Sequence, residues 1–94
     1  MTYKLKFLPA AQKEWGKLGA PIQKQFKKKL IERLENPHVP AAKLKGYESV
    51  YKIKLRTAGY RLAYEVIDDE IVVYVLAVGK RDKNQVYKKL ASRC

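Results

Sequence analysis

The sequence predicts an α+β fold in the order β-α-α-β-β-β-α, an antiparallel sheet with a helical hairpin packed on one face. Three observations predict it. Residues 51–56, Tyr-Lys-Ile-Lys-Leu-Arg, alternate apolar and cationic side chains over a strand's length. Two stretches ahead of them repeat apolar residues at helical spacing, separated by Gly19-Ala20-Pro21. Three strand-like runs then follow with links of only three residues each, too short for a parallel crossover. The length of 94 residues suits a single domain, 1–94, with one modest core.

Each element has a local reason. Thr2 to Phe7 alternates, with Tyr3, Leu5 and Phe7 on one side and Lys4 and Lys6 on the other, and reads as a strand. Pro9 suits a first helical turn. Ala11, Trp15 and Leu18 then share one helical face. Gly19-Ala20-Pro21 breaks that helix and starts a second, in which Ile22, Phe26, Leu30 and Leu34 recur every fourth residue. Asn36-Pro37 stops it, because the proline ring excludes further helix. Its lysines and Arg33 read as a solvated polar side.

Residues 36–49 form a loop, and strands are expected at 50–56, 60–67 and 71–78. Burial sets the expected register. With Arg56 opposite Arg61, Leu55 faces Leu62, Ile53 faces Tyr64 and Tyr51 faces Val66, giving one apolar face. This places Lys52 opposite Glu65, a possible ion pair. In the third strand, Ile71, Val73, Val75 and Ala77 would join the helix-covered face. Val72, Tyr74, Leu76 and Val78 would join the cationic one, whose apolar end needs a cover. Asp82 to Gln85 has capping-box spacing for a last helix through Arg93, with Val86 and Leu90 as its apolar contacts.

Charge is the compositional outlier. Lys plus Arg number 21 against 9 Asp plus Glu, a net of +12, which favours polyanionic partners. No apolar run is long enough to span a bilayer, and the N-terminus lacks a signal peptide's apolar core. The single Cys94 excludes an internal disulfide, so a cytoplasmic setting is expected.

Common catalytic sets are missing. His38 is the only histidine, and no Cys/His cluster is spaced to hold a metal. Asp68, Asp69 and Glu70 read as turn residues. No glycine-rich phosphate loop occurs. No metal or cofactor is expected, and any chemistry rests on Lys, Arg and Tyr.

Against that background, a set of motifs closely resembles the RelE toxins of the RelE/ParE superfamily. They are Lys43-Leu44-Lys45-Gly46, Tyr51-Lys52-Ile53-Lys54-Leu55-Arg56, Gly59-Tyr60-Arg61-Leu62, Tyr64, Val66-Ile67-Asp68, Val78-Gly79-Lys80-Arg81 and Val86-Tyr87. Lys13-Glu14-Trp15 and Lys17-Leu18 match near the start, so the resemblance spans essentially the whole chain.

The resemblance implies a ribosome-dependent mRNA endonuclease that cuts the codon exposed in the A site and stops translation. It places catalytic positions at Lys52, Lys54, Arg61, Arg81 and Tyr87, with RNA contacts at Lys43, Lys45, Arg56, Lys80 and Lys83. It implies a RelB-like antitoxin that wraps the toxin, contact with rRNA and mRNA, and repression of operator DNA by the toxin–antitoxin complex. Lys45 and Lys83 stand where the family would carry arginine. Lysine keeps the charge but not the bidentate fork.

Metal-free RNA cleavage uses the 2′-OH as nucleophile. It needs a base for that hydroxyl, an acid for the 5′-oxygen and cations around the phosphate. Crowded cations favour a neutral lysine, so Lys52 and Lys54 are candidate bases. The same field favours ionised Tyr87, a competing base whose ring is also a stacking platform. Arg61 suits bidentate phosphate contact. Arg81 is the family's acid, with phosphate stabilisation as the other role open to it. Two rival classes remain. One is a ParE-like toxin poisoning gyrase on the same fold, and the other a non-catalytic nucleic-acid-binding module.

Overall fold

The structure is a computed structural model and describes residues 2–93, except the side chain of Lys83. Seven main elements follow in order: β1 (Lys4–Phe7), α1 (Pro9–Gly16), α2 (Ala20–Glu35), β2 (Val50–Leu55), β3 (Tyr60–Ile67), β4 (Val72–Lys80) and α3 (Gln85–Arg93). Short 3-10 turns occupy Pro40–Ala42, Asp68–Glu70 and Asp82–Asn84. The expected element order therefore holds. Pro9 opens α1, Gly19 precedes α2 with Pro21 in its first turn, and α2 ends before Asn36-Pro37.

The sheet order is β1-β4-β3-β2. The strands β2, β3 and β4 pair antiparallel, while β1 lies parallel to β4 at the far edge. Strand β1 covers β4 only from Val72 to Val75. This short cover leaves the rest of that edge to be satisfied by side chains.

The hairpin register differs from expectation by two residues. Lys54 sits opposite Arg61, Ile53 opposite Leu62 and Lys52 opposite Ala63. A slip of two preserves every face, so burial patterning cannot distinguish the two registers. The turn decides it: Leu55 pairs with Tyr60 across residues 56–59, where Gly59, at φ +73°, donates its amide to the Leu55 carbonyl at 2.7 Å. Glu65 consequently faces Val50 and Tyr74, not Lys52.

A register shift of β3 against β4 falls between Ala63 and Tyr64, with Leu76 the extra residue on β4. It exchanges the expected faces beyond that point. Val78 joins the core under the helical hairpin, and Ala77 turns to the opposite face.

Helices α1 and α2 cover one sheet face, where Phe26, Leu30, Ile53, Leu62, Tyr64, Val73 and Val75 are fully buried. Phe7, Trp15 and Phe26 pack in sequence there with tilted rings. On the other face α3 sets Val86 and Leu90 against Leu44, Val50, Ala63, Leu76 and Ala77, supplying the expected cover. The capping box does not start α3. Asn84 adopts φ +54°, so the α-helix begins only at Gln85, after the 3-10 turn.

Arg33 departs from the solvated role expected of it. It reaches down from α2, donating to the Tyr64 hydroxyl at 2.8 Å and the Lys52 carbonyl at 3.3 Å. The Tyr64 hydroxyl in turn donates a hydrogen bond to the Pro37 carbonyl at 2.8 Å. Among the described residues, no helix is long and apolar enough to cross a membrane.

Candidate active site

The strands set the cationic side chains by alternation. Lys52, Lys54 and Arg56 leave β2 and its turn on the face opposite the helical hairpin. Arg61 on β3 lies directly across from Lys54. Arg81 follows the end of β4, where its amide donates to the Gly59 carbonyl at 2.9 Å and ties it to the β2–β3 hairpin. Lys54, Arg56, Tyr60, Arg61 and Arg81 thus line one hollow of about 210 Å³.

Tyr87 arrives from the first turns of α3. The Arg61 guanidinium lies 5.3 Å from the centre of its ring, a cation–π contact. Of the five residues proposed from the sequence as catalytic, Lys54, Arg61 and Arg81 line this hollow and Tyr87 meets it through Arg61, whereas Lys52 lines the neighbouring hollow beside Arg33, which it shares with Lys54 and Arg56. Tyr87 also borders the apolar cluster under α3 with Tyr74, so its ring serves packing as well.

No carboxylate neutralises this cluster. Among the described residues the ion pairs are His38–Asp68, Lys89–Glu14 and Arg93–Glu14, all elsewhere. Arg61 Nε is buried without a hydrogen-bond partner. A buried donor left without a partner is costly, and cation–π contact with Tyr87 is what the guanidinium has there. The Lys54 ammonium is disfavoured by the charge of Lys52 first, then by desolvation, Arg61 and Arg56, so its pKa falls below the usual lysine value.

The expected RNA-contact residues divide. Arg56 lines the hollow. Lys43 and Lys45 are exposed on the loop that bridges to Tyr51. Lys80 pairs opposite Tyr60 and lines a second hollow, between α1 and α3, which borders the first at Tyr60. The Lys83 side chain lies outside the described residues. His38 stands apart, bonded through Nε2 to Asp68 at 2.9 Å and through Nδ1 to the Tyr51 hydroxyl at 3.1 Å. Among the described residues, no group of three or more His, Cys, Asp and Glu side chains could hold a metal ion.

The sequence reading missed Glu14. It accepts from Arg93, Lys89 and the Val78 amide, and so holds α3 against β4. The available signal was weak: the single acidic residue of α1, with basic residues spaced four apart near the C-terminus.

Comparison with known proteins gives the chain a family. The family model described as ParE toxin of type II toxin-antitoxin system, parDE, matches residues 5–85. The mRNA interferase toxin RelE of Escherichia coli (strain K12) is 52% identical over 93 residues, covering 99% of this chain and 98% of that protein. The chain belongs to the RelE toxins.

Solved RelE structures share the architecture. A doubly substituted E. coli RelE in the free state superposes with TM-score 0.91 at 50% identity, covering 99% of this chain and 98% of that one. RelE in the intact E. coli RelBE toxin-antitoxin complex gives TM-score 0.83 at 53% identity, covering 86% of this chain and 99% of that one. The mRNA interferase RelE of Shigella flexneri is 52% identical, with coverage of 99% and 98%.

Proposed function

We propose that the chain, acting as one domain over residues 1–94, is the toxin of a type II toxin–antitoxin system and an endoribonuclease that cuts mRNA in the ribosomal A site. The carrying observation is the unneutralised cluster of Lys54, Arg61 and Arg81, with Tyr87 against Arg61 and Lys52 beside Lys54 in the adjoining hollow. Full-length similarity to RelE proteins named as mRNA interferases supports the same reading.

In this reading the scissile phosphate occupies the hollow, where the Arg61 and Arg81 guanidinium groups balance its charge and donate to its oxygens. The 2′-OH attacks the phosphorus. Lys54 in its neutral form, Lys52 or Tyr87 takes the hydroxyl proton, with Lys54 favoured by its depressed pKa. Arg81 serves the departing 5′-oxygen by donation or charge stabilisation. The Tyr87 ring and Arg61 together offer a flat surface to an mRNA base. Lys43, Lys45, Arg56, Lys80 and Lys83 contribute contacts to mRNA or rRNA.

The proposed partners are a RelB-like antitoxin, the ribosome, and operator DNA through the toxin–antitoxin complex, in the cytoplasm. Structures of RelE relatives bound to RelB support the antitoxin. Primer extension on mRNA, with purified protein and with or without programmed ribosomes, tests the activity. Cuts confined to ribosome-bound A-site codons are expected. Intact mRNA accompanied by gyrase-linked DNA breaks would replace this reading with the ParE-like one.

A further inference from the structure

We propose that Lys54 is an acyl-acceptor site: the hollow it shares with Arg56, Arg61 and Arg81 binds a small acyl phosphate and presents its carbonyl carbon to the Lys54 amine. The hollow measures about 210 Å³, room for a phosphate with a short acyl group, and its lining holds no carboxylate. Three guanidinium groups are suited to a phosphate dianion by charge and by fork geometry. Lys54 is exposed at the rim of this anion site, directly across the strands from Arg61.

An amine must be neutral to attack a carbonyl, and the cations around Lys54, Lys52 foremost, favour that form. The nitrogen lone pair forms a bond to the acyl carbon, and the carbon–oxygen bond to phosphate breaks. Inorganic phosphate leaves with the bonding electrons, held by the guanidinium groups, and the amine's proton passes to solvent. The product is a neutral amide. Acylation therefore removes one positive charge from the centre of the cluster.

The test incubates the wild-type protein with acetyl phosphate near neutral pH and follows each lysine by peptide mass, with no RNA assay involved. Lys54 is expected to acquire acetyl at least about tenfold faster than exposed Lys28 on α2, within the range of electrostatic focusing in a charged cleft. Excess inorganic phosphate is expected to slow acetylation of Lys54 and to leave Lys28 unchanged. Arg56→Gln, at an exposed position, is expected to slow Lys54 selectively. Equal rates at Lys54 and Lys28, or no competition by phosphate, would overturn the assignment.

Discussion

Arg93, at the end of α3, grips both carboxylate oxygens of Glu14 in α1: Nη1 lies 3.0 Å from Oε1 and Nη2 2.8 Å from Oε2. The two helices pack on opposite faces of the sheet and meet at the edge of β4 that β1 leaves uncovered. There the clasp replaces a strand's hydrogen bonds. Glu14 accepts from the Val78 amide at 3.1 Å, Lys89 donates to the Val78 carbonyl at 3.0 Å, and Arg93 donates to the Leu76 carbonyl at 2.8 Å. The same helix carries Tyr87 to Arg61.

Glu14→Gln should therefore lower unfolding free energy by about 2 kcal/mol at neutral pH, the scale for weakening a charge-assisted, partly buried pair. Burial alone would raise the Glu14 pKa, but bonds from Arg93, Lys89 and the Val78 amide hold it at about 2. The folded value lies below the unfolded one, so this stabilisation is present above the unfolded carboxylate pKa. It is lost as pH falls through the folded one, between about pH 5 and 2. Urea unfolding across that window should show a steeper acid loss for wild type than for the variant. The carboxylate is only 16% exposed, so solvent screening trims the effect without removing it.

Arg81→Ala should reduce mRNA cleavage at least about a hundredfold, the scale for removing a main electrostatic stabiliser. Primer extension under single-turnover conditions checks it. Near-normal cutting would take Arg81 out of the catalytic set.

Tyr87→Phe should retain single-stranded RNA affinity within about twofold, while Tyr87→Ala should lose about 1–3 kcal/mol of binding, the usual worth of one stacked base. The Phe ring keeps both the contact with Arg61 and the apolar packing beside Tyr74. Fluorescence anisotropy with a short RNA measures both. Equal weakening by the two variants would assign the interaction to the hydroxyl.

Lys52→Met should raise the Lys54 pKa toward its ordinary value, because Lys52 is the largest cause of the depression. Lys54 titrates lower in the folded state, so its repulsion burdens the fold while it is protonated and eases as pH rises through the folded pKa. NMR titration of the lysine side chain reads the shift directly. An unchanged or lower value would mean that Lys52 does not govern the Lys54 charge.

Tyr64→Phe should destabilise by about 1–3 kcal/mol, since it strips a partner from a part-buried Arg33 and from the Pro37 carbonyl. Burial already raises the Tyr64 pKa, so the phenol is a neutral donor at physiological pH. Thermal melts at neutral pH check the loss.

Much of the fold was legible in the sequence because each element follows from local chemistry. Pro9, Gly19 and Pro21 mark helix starts, Pro37 ends α2, and the spacing of Phe26 and Leu30 turns that helix toward the sheet. The alternation from Tyr51 to Arg56 put Lys52 and Lys54 on one face. Only the resemblance, and no periodicity, grouped Arg81 and Tyr87 with them. The pairing of Lys54 with Arg61 was not legible, because a slip of two residues buries the same side chains. Nor was the exchange of Ala77 and Val78, which follows from the one extra residue at Leu76.

Local periodicity and turn chemistry, which act within a few residues, therefore determined the elements, their apolar faces and the concentration of positive charge. Tertiary structure alone decided which cation faces which and what fastens the last helix. Those outcomes depend on a tight hairpin, one strand irregularity and a carboxylate meeting an arginine 79 positions away in the chain. Such long-range geometry is settled only when the whole sheet closes, since no short segment carries enough contacts to specify it.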